Sequence, residues 1–181
     1  SPNLLLVAPP TEDGEVMLKV TDFGLSRDKG LDSQNFSQTV MMTGCGSVLW
    51  MAPEILLGET YNEKVDVYSF AMCLAELASG QLPWSGVATG AEVPHKVTRG
   101  ERPSKQLDDT EDRRVDPEIA KLIKDCWAHD PVKRPDFSLV VQRLDDLLDD
   151  LQRRTGAVRN PCGRRSGRSV SGLHRGSDTR A

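Results

Sequence analysis

The stretch from Asn62 to Gly80 constrains the fold most strongly, because it combines a helical start, a helical stop and apolar residues on nearly every side. Asn62 is a favourable N-cap, Glu63 falls in the first turn, and Gly80 is a favourable stop. Apolar residues recur between them at helical spacing: Val67, Phe70, Ala71, Leu74, Leu77 and Ala78. Met72 and Cys73 make other sides apolar as well. Such a helix is typically central and buried, so the sequence predicts a mainly α-helical core around it.

Shorter helical segments lie on both sides of this stretch. Residues 55–57 before Gly58 predict a short helix with a glycine stop. Residues 92–99 predict another short helix, which Pro94 must either begin or break. Both segments fit the mainly α interpretation.

Two longer amphipathic helices are predicted nearer the end of the chain. The first carries an apolar stripe of Ile119, Leu122, Ile123, Cys126 and Trp127. The second is capped by Asp136. Its stripe consists of Phe137, Val140, Val141, Leu144, Leu148 and Leu151. The acidic pairs at residues 145–146 and 149–150 fall on its polar face, so they indicate a solvated surface and not a metal site.

Two short apolar segments near the start of the chain predict a β-hairpin. Residues 4–8 end at a Pro pair and residues 16–20 follow a polar turn, which is typical of two antiparallel strands. In such a pair the start of one strand lies beside the end of the other, about 5 Å away. Asn3 precedes the first strand and Asp22 follows the second, so we expect their side-chain oxygens to converge. Two oxygen ligands suit Mg²⁺, which is commonly held by one or two protein groups plus substrate phosphates.

A long loop begins at Asp22-Phe23-Gly24 and ends at Ala52-Pro53-Glu54. It lacks a periodic pattern, and it is rich in hydroxyl side chains, namely Ser26, Ser33, Ser37, Thr39, Thr43 and Ser47. Gly24 permits backbone angles that other residues avoid, so the carboxylate before it can meet a cation at a hinge. Loops of this length in compact domains are usually functional or disordered.

The two end motifs of this loop resemble those of the protein kinase activation segment, which runs from an Asp-Phe-Gly to an Ala-Pro-Glu. The resemblance covers residues 1–151. It implies the large, C-terminal lobe of a kinase, mainly α with a short antiparallel hairpin, and with the N-terminal lobe missing. It also implies that Asn3 and Asp22 bind Mg²⁺ and that Leu5 lies under the adenine ring of ATP. An ordinary buried strand residue is the other interpretation of Leu5, and both can hold.

Residues 46–54 resemble the substrate-docking loop of Ser/Thr kinases, particularly those of the tyrosine-kinase-like group. Ser47 stands where the family usually has Thr, and the resemblance implies that its hydroxyl bonds to the catalytic Asp and Lys. Together with the Ser1-Pro2 start, this favours Ser/Thr over Tyr specificity. Thr39 and Thr43 are candidate phosphorylation sites, against the alternative of a solvated loop.

The resemblance also implies structural roles for Gly24, Glu54, Asp66 and Arg134. Arg134, from the family's last motif, would form a buried ion pair with Glu54, because its planar fork matches a carboxylate through two bonds. Asp66 would accept hydrogen bonds from the backbone of the catalytic loop. The alternative for Asp66 is a carboxylate that interacts with the helix dipole at the N-terminus.

Several catalytic parts of the family have no counterpart in this sequence. The catalytic Asp, its neighbouring Lys, the Gly-rich loop and the Lys–Glu pair of the small lobe all precede the position of Asn3. The chain begins at Ser1, so we expect a truncated lobe that is inactive by itself and whose parent binds ATP and a protein substrate. The competing interpretation is a pseudokinase or scaffold that docks partners. Asn3, Asp22 and Ser47 favour an active parent.

The composition changes at Gln152, after the last predicted helix. Residues 152–181 hold eight Arg, no Lys and one Asp, a net charge of +7 within a total of −4. This composition predicts a disordered basic tail, which either contacts nucleic acid or a membrane surface, or is a linker or gene-prediction artefact. The four Cys lack metal-ligand spacing, and no apolar run is long enough to span a membrane. We therefore expect a cytoplasmic or nuclear compartment.

Overall fold

The computed structural model describes residues 4–6, 16–21, 46–107 and 115–155. In this part of the chain two strands, β1 (Leu4–Leu6) and β2 (Leu18–Val20), precede five α-helices. The helices are α1 (Pro53–Leu57), α2 (Lys64–Ser79), α3 (Val93–Thr98), α4 (Pro117–Cys126) and α5 (Phe137–Thr155). The 3₁₀ helices are Gly46–Trp50, Gly90–Glu92, Ser104–Leu107 and Pro131–Lys133. The prediction of a mainly α fold with one antiparallel hairpin is confirmed.

Helix α2 lies at the centre of the helical part. It contributes a set of buried residues that are each at most 1% exposed: Val67, Tyr68, Ala71, Met72 and Ala75. Helix α4 packs against it with Leu122, Ile123 and Cys126, which are fully buried. The 3₁₀ helices Gly46–Trp50 and Ser104–Leu107 also pack against α2. The core is thus built around the helix that the sequence predicts to be central.

Local signals end α1 and α2 where the sequence predicts them, whereas α2 begins one residue later than predicted. The Asn62 side chain accepts a hydrogen bond from the backbone N–H of Lys64 at 3.0 Å, although Glu63 stands at the N-cap position itself. Gly58 and Gly80 end α1 and α2 with φ angles of 72° and 63°. Glycine adopts this left-handed conformation without the steric cost that a Cβ would add.

Proline and aspartate begin the later helices. Pro94 lies in the first turn of α3, so it begins this helix and does not break it. Asp116 caps α4, because its side chain accepts a hydrogen bond from the N–H of Glu118 at 2.8 Å. Helix α5 starts after Asp136, whose backbone carbonyl accepts two N–H groups of the first turn, both at 3.0 Å.

One face of α2 departs from the prediction of a helix buried on nearly all sides. Phe70, Cys73 and Leu74 are only partly buried, and Leu77 is 79% exposed. These residues are spaced three or four apart, so they share one side of the helix. The prediction was therefore wrong for this side, because apolar composition shows that a helix can be covered but not which neighbours cover it.

The apolar stripe of α5 is buried mainly at Val140 and Leu144, whereas Phe137 and Val141 are 41% and 55% exposed. Val140 is 1% exposed and Leu144 packs against the core, whereas Leu148 and Leu151 are 44% and 43% exposed. The helix continues to Thr155, beyond the boundary at residue 151 that composition predicts. The C-terminal part of α5 therefore extends past its contacts with the core.

Strands β1 and β2 form the predicted antiparallel hairpin. Leu4 pairs with Val20, Leu5 with Lys19 and Leu6 with Leu18. The start of β1 thus lies beside the end of β2. Leu4 and Val20 are 39% and 62% exposed, so this end of the hairpin does not bury its apolar side chains in the core.

A buried ion pair joins α1 to the segment before α5. Arg134 Nη1 donates to Glu54 Oε1 at 2.6 Å, and Arg134 Nη2 donates to Glu54 Oε2 at 2.9 Å. The other N–H groups of the guanidinium donate to the backbone carbonyls of Lys64, Ala128 and His129 at 3.0, 2.9 and 3.2 Å. The Arg134 side chain is 0% exposed and that of Glu54 is 4% exposed. Every donor of the buried guanidinium is satisfied, which is the condition for tolerating its charge.

The ring of Tyr68 is close to two arginines. Arg102 Cζ lies 5.0 Å from the ring centroid, and Arg134 Cζ lies 5.1 Å from it, both within cation–π range. Burial raises the pKa of the Tyr68 hydroxyl to about 12, although the two guanidiniums act in the opposite direction. Tyr68 therefore stays neutral at physiological pH and connects Arg102 to the buried ion pair.

Arg134→Ala should leave the Glu54 carboxylate buried without its partner. Loss of one member of a buried pair costs about 3–5 kcal/mol, and we expect a decrease of this size in the free energy of unfolding, measured by urea denaturation of the 181-residue chain. Arg153→Ala is the control, because the Arg153 side chain is 75% exposed and lies 3.7 Å from its partner Asp150. The control should lose less than about 1 kcal/mol. An Arg134→Ala chain as stable as the wild type would contradict this role.

Candidate functional site

The predicted site residues fall on the hairpin and on the loop before α1. Leu5 lies on β1 opposite Lys19, and its side chain is 51% exposed, so the expectation of an ordinary buried residue is wrong. Ser47 lies in the 3₁₀ helix Gly46–Trp50. The remaining loop and hairpin candidates, Asn3, Asp22, Gly24, Thr39 and Thr43, lie outside the described residues.

The 3₁₀ helix that contains Ser47 is held against α2 at its last residue. Trp50 Nε1 donates to Glu76 Oε2 at 3.2 Å, and Ser69 Oγ donates to the Trp50 carbonyl at 2.9 Å. The next two residues are buried, and α1 begins directly after them at Pro53. The end of this loop is therefore held by two hydrogen bonds to α2 and by the buried residues that lead into α1.

Sequence reasoning missed the contact between Trp50 and Glu76. A signal for it was present, because Glu76 is the only charged residue of α2 after Asp66. An acidic side chain on an otherwise apolar part of a helix calls for a hydrogen-bond donor. The sequence therefore indicates that Glu76 has a partner, but not that the partner is Trp50.

Lys64 was also missed, and it had no local signal. Its Nζ donates to the backbone carbonyl of Arg134 at 2.8 Å and pairs with the Asp136 carboxylate. The Arg134 carbonyl is 70 residues away along the chain, beyond the reach of any helical spacing rule. These contacts reinforce the junction at which the Arg134 guanidinium binds Glu54.

Asp66 lies in the first turn of α2 and remains partly exposed to solvent. Within the part of the chain that the structure covers, no hydrogen bond to its carboxylate is formed. Burial, and after it the negative charge of Glu63, raises the pKa of this carboxyl. The helix N-terminus alone would favour the charged form, so the desolvation outweighs it. Asp66 is therefore an acceptor whose charge the described residues do not fully stabilise.

The described ranges contain no cluster of three or more His, Cys, Asp or Glu side chains that could hold a metal ion. None of the helices in these ranges is both long enough and apolar enough to cross a membrane. Burial raises the pKa of the Cys126 thiol to about 11, so this core residue is not a reactive thiolate. These ranges thus supply a helical frame and a hairpin, and the predicted Mg²⁺ ligands lie outside them.

The sequence of the chain matches one known protein family. Residues 3–144 match the family model for protein tyrosine and serine/threonine kinase. The chain belongs to this kinase family. Its hairpin and helices are those of a kinase large lobe, in agreement with the fold that the end motifs imply.

Curated relatives of the kinase lobe support the same assignment. A probable serine/threonine-protein kinase of Dictyostelium discoideum is 37% identical over 80% of this chain and 14% of its own length. The serine/threonine-protein kinase CTR1 of Arabidopsis thaliana is 38% identical over 82% of this chain and 16% of its own. Mitogen-activated protein kinase kinase kinase 11 of Homo sapiens is 36% identical over 81% of this chain and 16% of its own length. The lobe is of the tyrosine-kinase-like kind, and it spans 14–16% of these relatives.

Asp66→Asn should stabilise the kinase lobe at neutral pH. Because folding raises the pKa of this carboxyl above its usual 3.8, its contribution to stability is present below that pH and is lost as the pH rises through the folded-state pKa. Asn removes the charge. The melting temperature of the Asp66→Asn chain should therefore exceed that of the wild type at pH 7, and the two melting temperatures should become similar in acid. Glu59→Gln, an exposed charge removal, is the control and should show no such pH-dependent gain. A lower melting temperature for Asp66→Asn at pH 7 would refute the argument.

Proposed function

We propose that this lobe, together with a kinase small lobe, transfers the γ-phosphoryl group of ATP to Ser or Thr hydroxyls of protein substrates. The observation that carries the proposal is the hairpin register, in which Leu4 pairs with Val20. Asn3 directly precedes Leu4, and Asp22 follows Val20 by two residues. An amide and a carboxylate attached to neighbouring strand ends are within reach of one cation.

The chemistry of these two side chains fits Mg²⁺. Both offer oxygen, the ligand that Mg²⁺ prefers, and few protein ligands are needed when phosphates complete the coordination. When bound, Mg²⁺ supplies positive charge that offsets the negative charge on the phosphates. In this proposal Asn3 and Asp22 would hold the ion, and Gly24 would give the Asp22 carboxylate its hinge.

Leu5 is proposed to supply an apolar surface for the adenine ring of ATP. Its position on β1 is two residues after Asn3, on the strand that leads from the proposed metal ligand. Its exposed fraction of 51% supports this role, because the floor of an open pocket must be accessible to the ligand. Contact between an aromatic ring and apolar surface of this kind lowers the free energy of the complex.

The loop before α1 is proposed to bind the protein substrate. Ser47 would donate to, or accept from, the catalytic groups of the complete kinase, and the residues after it would receive the substrate chain. The names of the Dictyostelium and Arabidopsis relatives, both serine/threonine-protein kinases, support a Ser or Thr acceptor. Thr39 and Thr43 are proposed phosphorylation sites, where a phosphate would add up to about two negative charges.

Asp66 is proposed to accept hydrogen bonds from the backbone of the catalytic loop. Its carboxylate has no donor among the described residues, and burial raises its pKa. Backbone N–H groups would stabilise the charged form and lower that pKa. The cost of the charge in the lobe alone would then be offset in the complete kinase.

Asp22→Asn tests the proposal in the complete kinase. We expect kcat to fall by at least about 100-fold, because the amide lacks the charge that holds the cation at the phosphates. Transfer of labelled phosphate from ATP to myelin basic protein measures it. Asp13→Asn makes the same change at a position between the two strands in sequence, and it should keep kcat within about twofold of the wild type.

Two results would count against phosphoryl transfer. The first is an Asp22→Asn kinase with the kcat of the wild type, which would show that this carboxylate holds no catalytic ion. The second is a wild-type protein that binds protein partners and transfers no phosphate. Either result would favour the alternative of a pseudokinase or scaffold, whose lobe acts as a docking module.

The 181-residue chain by itself should phosphorylate neither itself nor myelin basic protein. None of its residues matches the catalytic Asp or the nucleotide-binding Lys of the family. Incubation with labelled ATP and Mg²⁺, followed by measurement of incorporated phosphate, checks this expectation, with the complete kinase as the positive control. Incorporation that Asp22→Asn abolishes would contradict it, because the activity would then belong to this chain.

A further inference from the structure

Helix α5 presents apolar side chains along its C-terminal half, beyond its contacts with the core. Leu148 and Leu151 are 44% and 43% exposed, and they lie three residues apart on one side of the helix. Leu144, four residues before Leu148 on the same side, packs against the core. Single exposed leucines are ordinary, but these two continue a buried stripe, so they form an apolar surface that another segment can cover.

Carboxylates border this apolar surface on both sides. Residues 144–151 read LDDLLDDL, so they carry four negative charges and no positive charge. Asp145 and Asp149 are four residues apart and follow one border of the stripe. Asp146 and Asp150 follow the other border in the same way. A segment that covers the surface therefore needs apolar side chains placed between positive charges.

The ion pairs at the end of α5 leave room for such a segment. Arg154 Nη2 lies 2.5 Å from Asp150 Oδ2, and Arg153 Nη2 lies 3.7 Å from Asp150 Oδ1. The Arg154 and Arg153 side chains are 67% and 75% exposed. Because water and salt screen exposed pairs of this kind, they can be exchanged for other pairs at little cost.

The sequence after α5 contains a segment with the required pattern. Residues 156–181 hold six Arg, no Lys and one Asp, a net charge of +5. Val170 and Leu173 are the only large aliphatic residues there besides Val158. They are three residues apart, and they lie within the segment 168–175, which begins and ends with Arg. This segment is thus complementary to the apolar surface of α5 in both charge and apolar spacing.

We propose that the segment 168–175 binds the exposed half of α5 in the same chain. Val170 and Leu173 cover Leu148 and Leu151, and the arginines at both ends of the segment pair with the bordering carboxylates. None of these residues takes part in the proposed phosphoryl transfer, so the contact holds or fails independently of it.

The chain between the two partners is long enough for this contact. Residues 156–167 span up to about 40 Å when extended, whereas α5 rises only about 17 Å between Leu144 and Thr155. Covalent linkage also gives the segment an effective concentration at the helix on the order of millimolar. A contact that would be weak between separate molecules can therefore form within one chain.

Carbodiimide coupling in the 181-residue chain tests the contact, because this reagent joins a carboxylate to a lysine amine. Residues 152–181 contain no Lys, so Arg175→Lys introduces the only lysine amine there. We expect it to couple to carboxylates of residues 145–150, as measured by mass spectrometry of the peptides. Arg180→Lys is the matched control. Its longer distance in sequence from α5 lowers the yield by less than about twofold, whereas Arg175→Lys should couple at least about fivefold more.

Apolar substitutions test the other half of the contact in the Arg175→Lys chain. Val170→Ser together with Leu173→Ser should lower the coupling yield at least about fivefold, because the apolar surface of α5 then loses its cover. Leu148→Ser should have the same effect from the side of the helix. Val158→Ser, an apolar loss outside the segment, is the control and should leave the yield unchanged. The substitutions at residues 170 and 173 keep the proposal testable if Leu148→Ser fails to fold.

Each outcome supports or overturns the proposal. Coupling within one chain that depends on both Arg175→Lys and the two apolar residues would support it. Equal coupling from Arg175→Lys and Arg180→Lys would overturn it, because proximity along the chain would then explain the yield. Coupling between isotopically labelled and unlabelled copies in a mixed sample would also overturn it, in favour of a contact between two copies.

Discussion

The bidentate bond between Arg134 and Glu54 is the interaction on which the rest of the lobe depends. It joins residues 80 apart in the chain and holds the start of α1 against the segment before α5. The same guanidinium binds the carbonyl of Lys64, so the start of α2 is fixed by the same side chain. The 3₁₀ helix Gly46–Trp50 is followed closely by α1, so the described end of the loop adjoins an element that this charged group holds. Its burial requires that all its donors be used, which leaves little freedom to the backbone around it.

Local chemistry explains why much of the helical part could be predicted from the sequence. Gly58 and Gly80 end their helices through their own backbone conformation, and Pro94 begins α3 through its fixed φ angle. Such signals act within one turn, so a pattern of neighbours is enough to find them. The pairing of Arg134 with Glu54 has no local signal and followed only from the resemblance to kinases. The candidate metal ligands, Asn3 and Asp22, stay predictions, because only the strand pair between them is described.

Contacts that depend on which elements meet could not be predicted. The partners of Lys64 and Glu76 are far away in sequence, and the exposed position of Leu77 depends on what packs beside α2. Periodicity indicates that a face is apolar but does not identify the neighbour that covers it.

Asp66 illustrates a conflict between stability and function. Its charge lowers the stability of this lobe, whereas its proposed role requires that charge. Natural proteins often carry such costs where function needs them.

The hairpin has a thermodynamic consequence for any ligand that bridges its ends. Each strand is three residues long, and a two-stranded ribbon of this size is marginally stable in water. A molecule that binds to both ends would stabilise the paired strands. Ligand affinity and strand pairing would then be linked, so that each increases the other. A substitution at Leu18 or Lys19 that weakened the pairing would then reduce the affinity for a ligand that it does not touch.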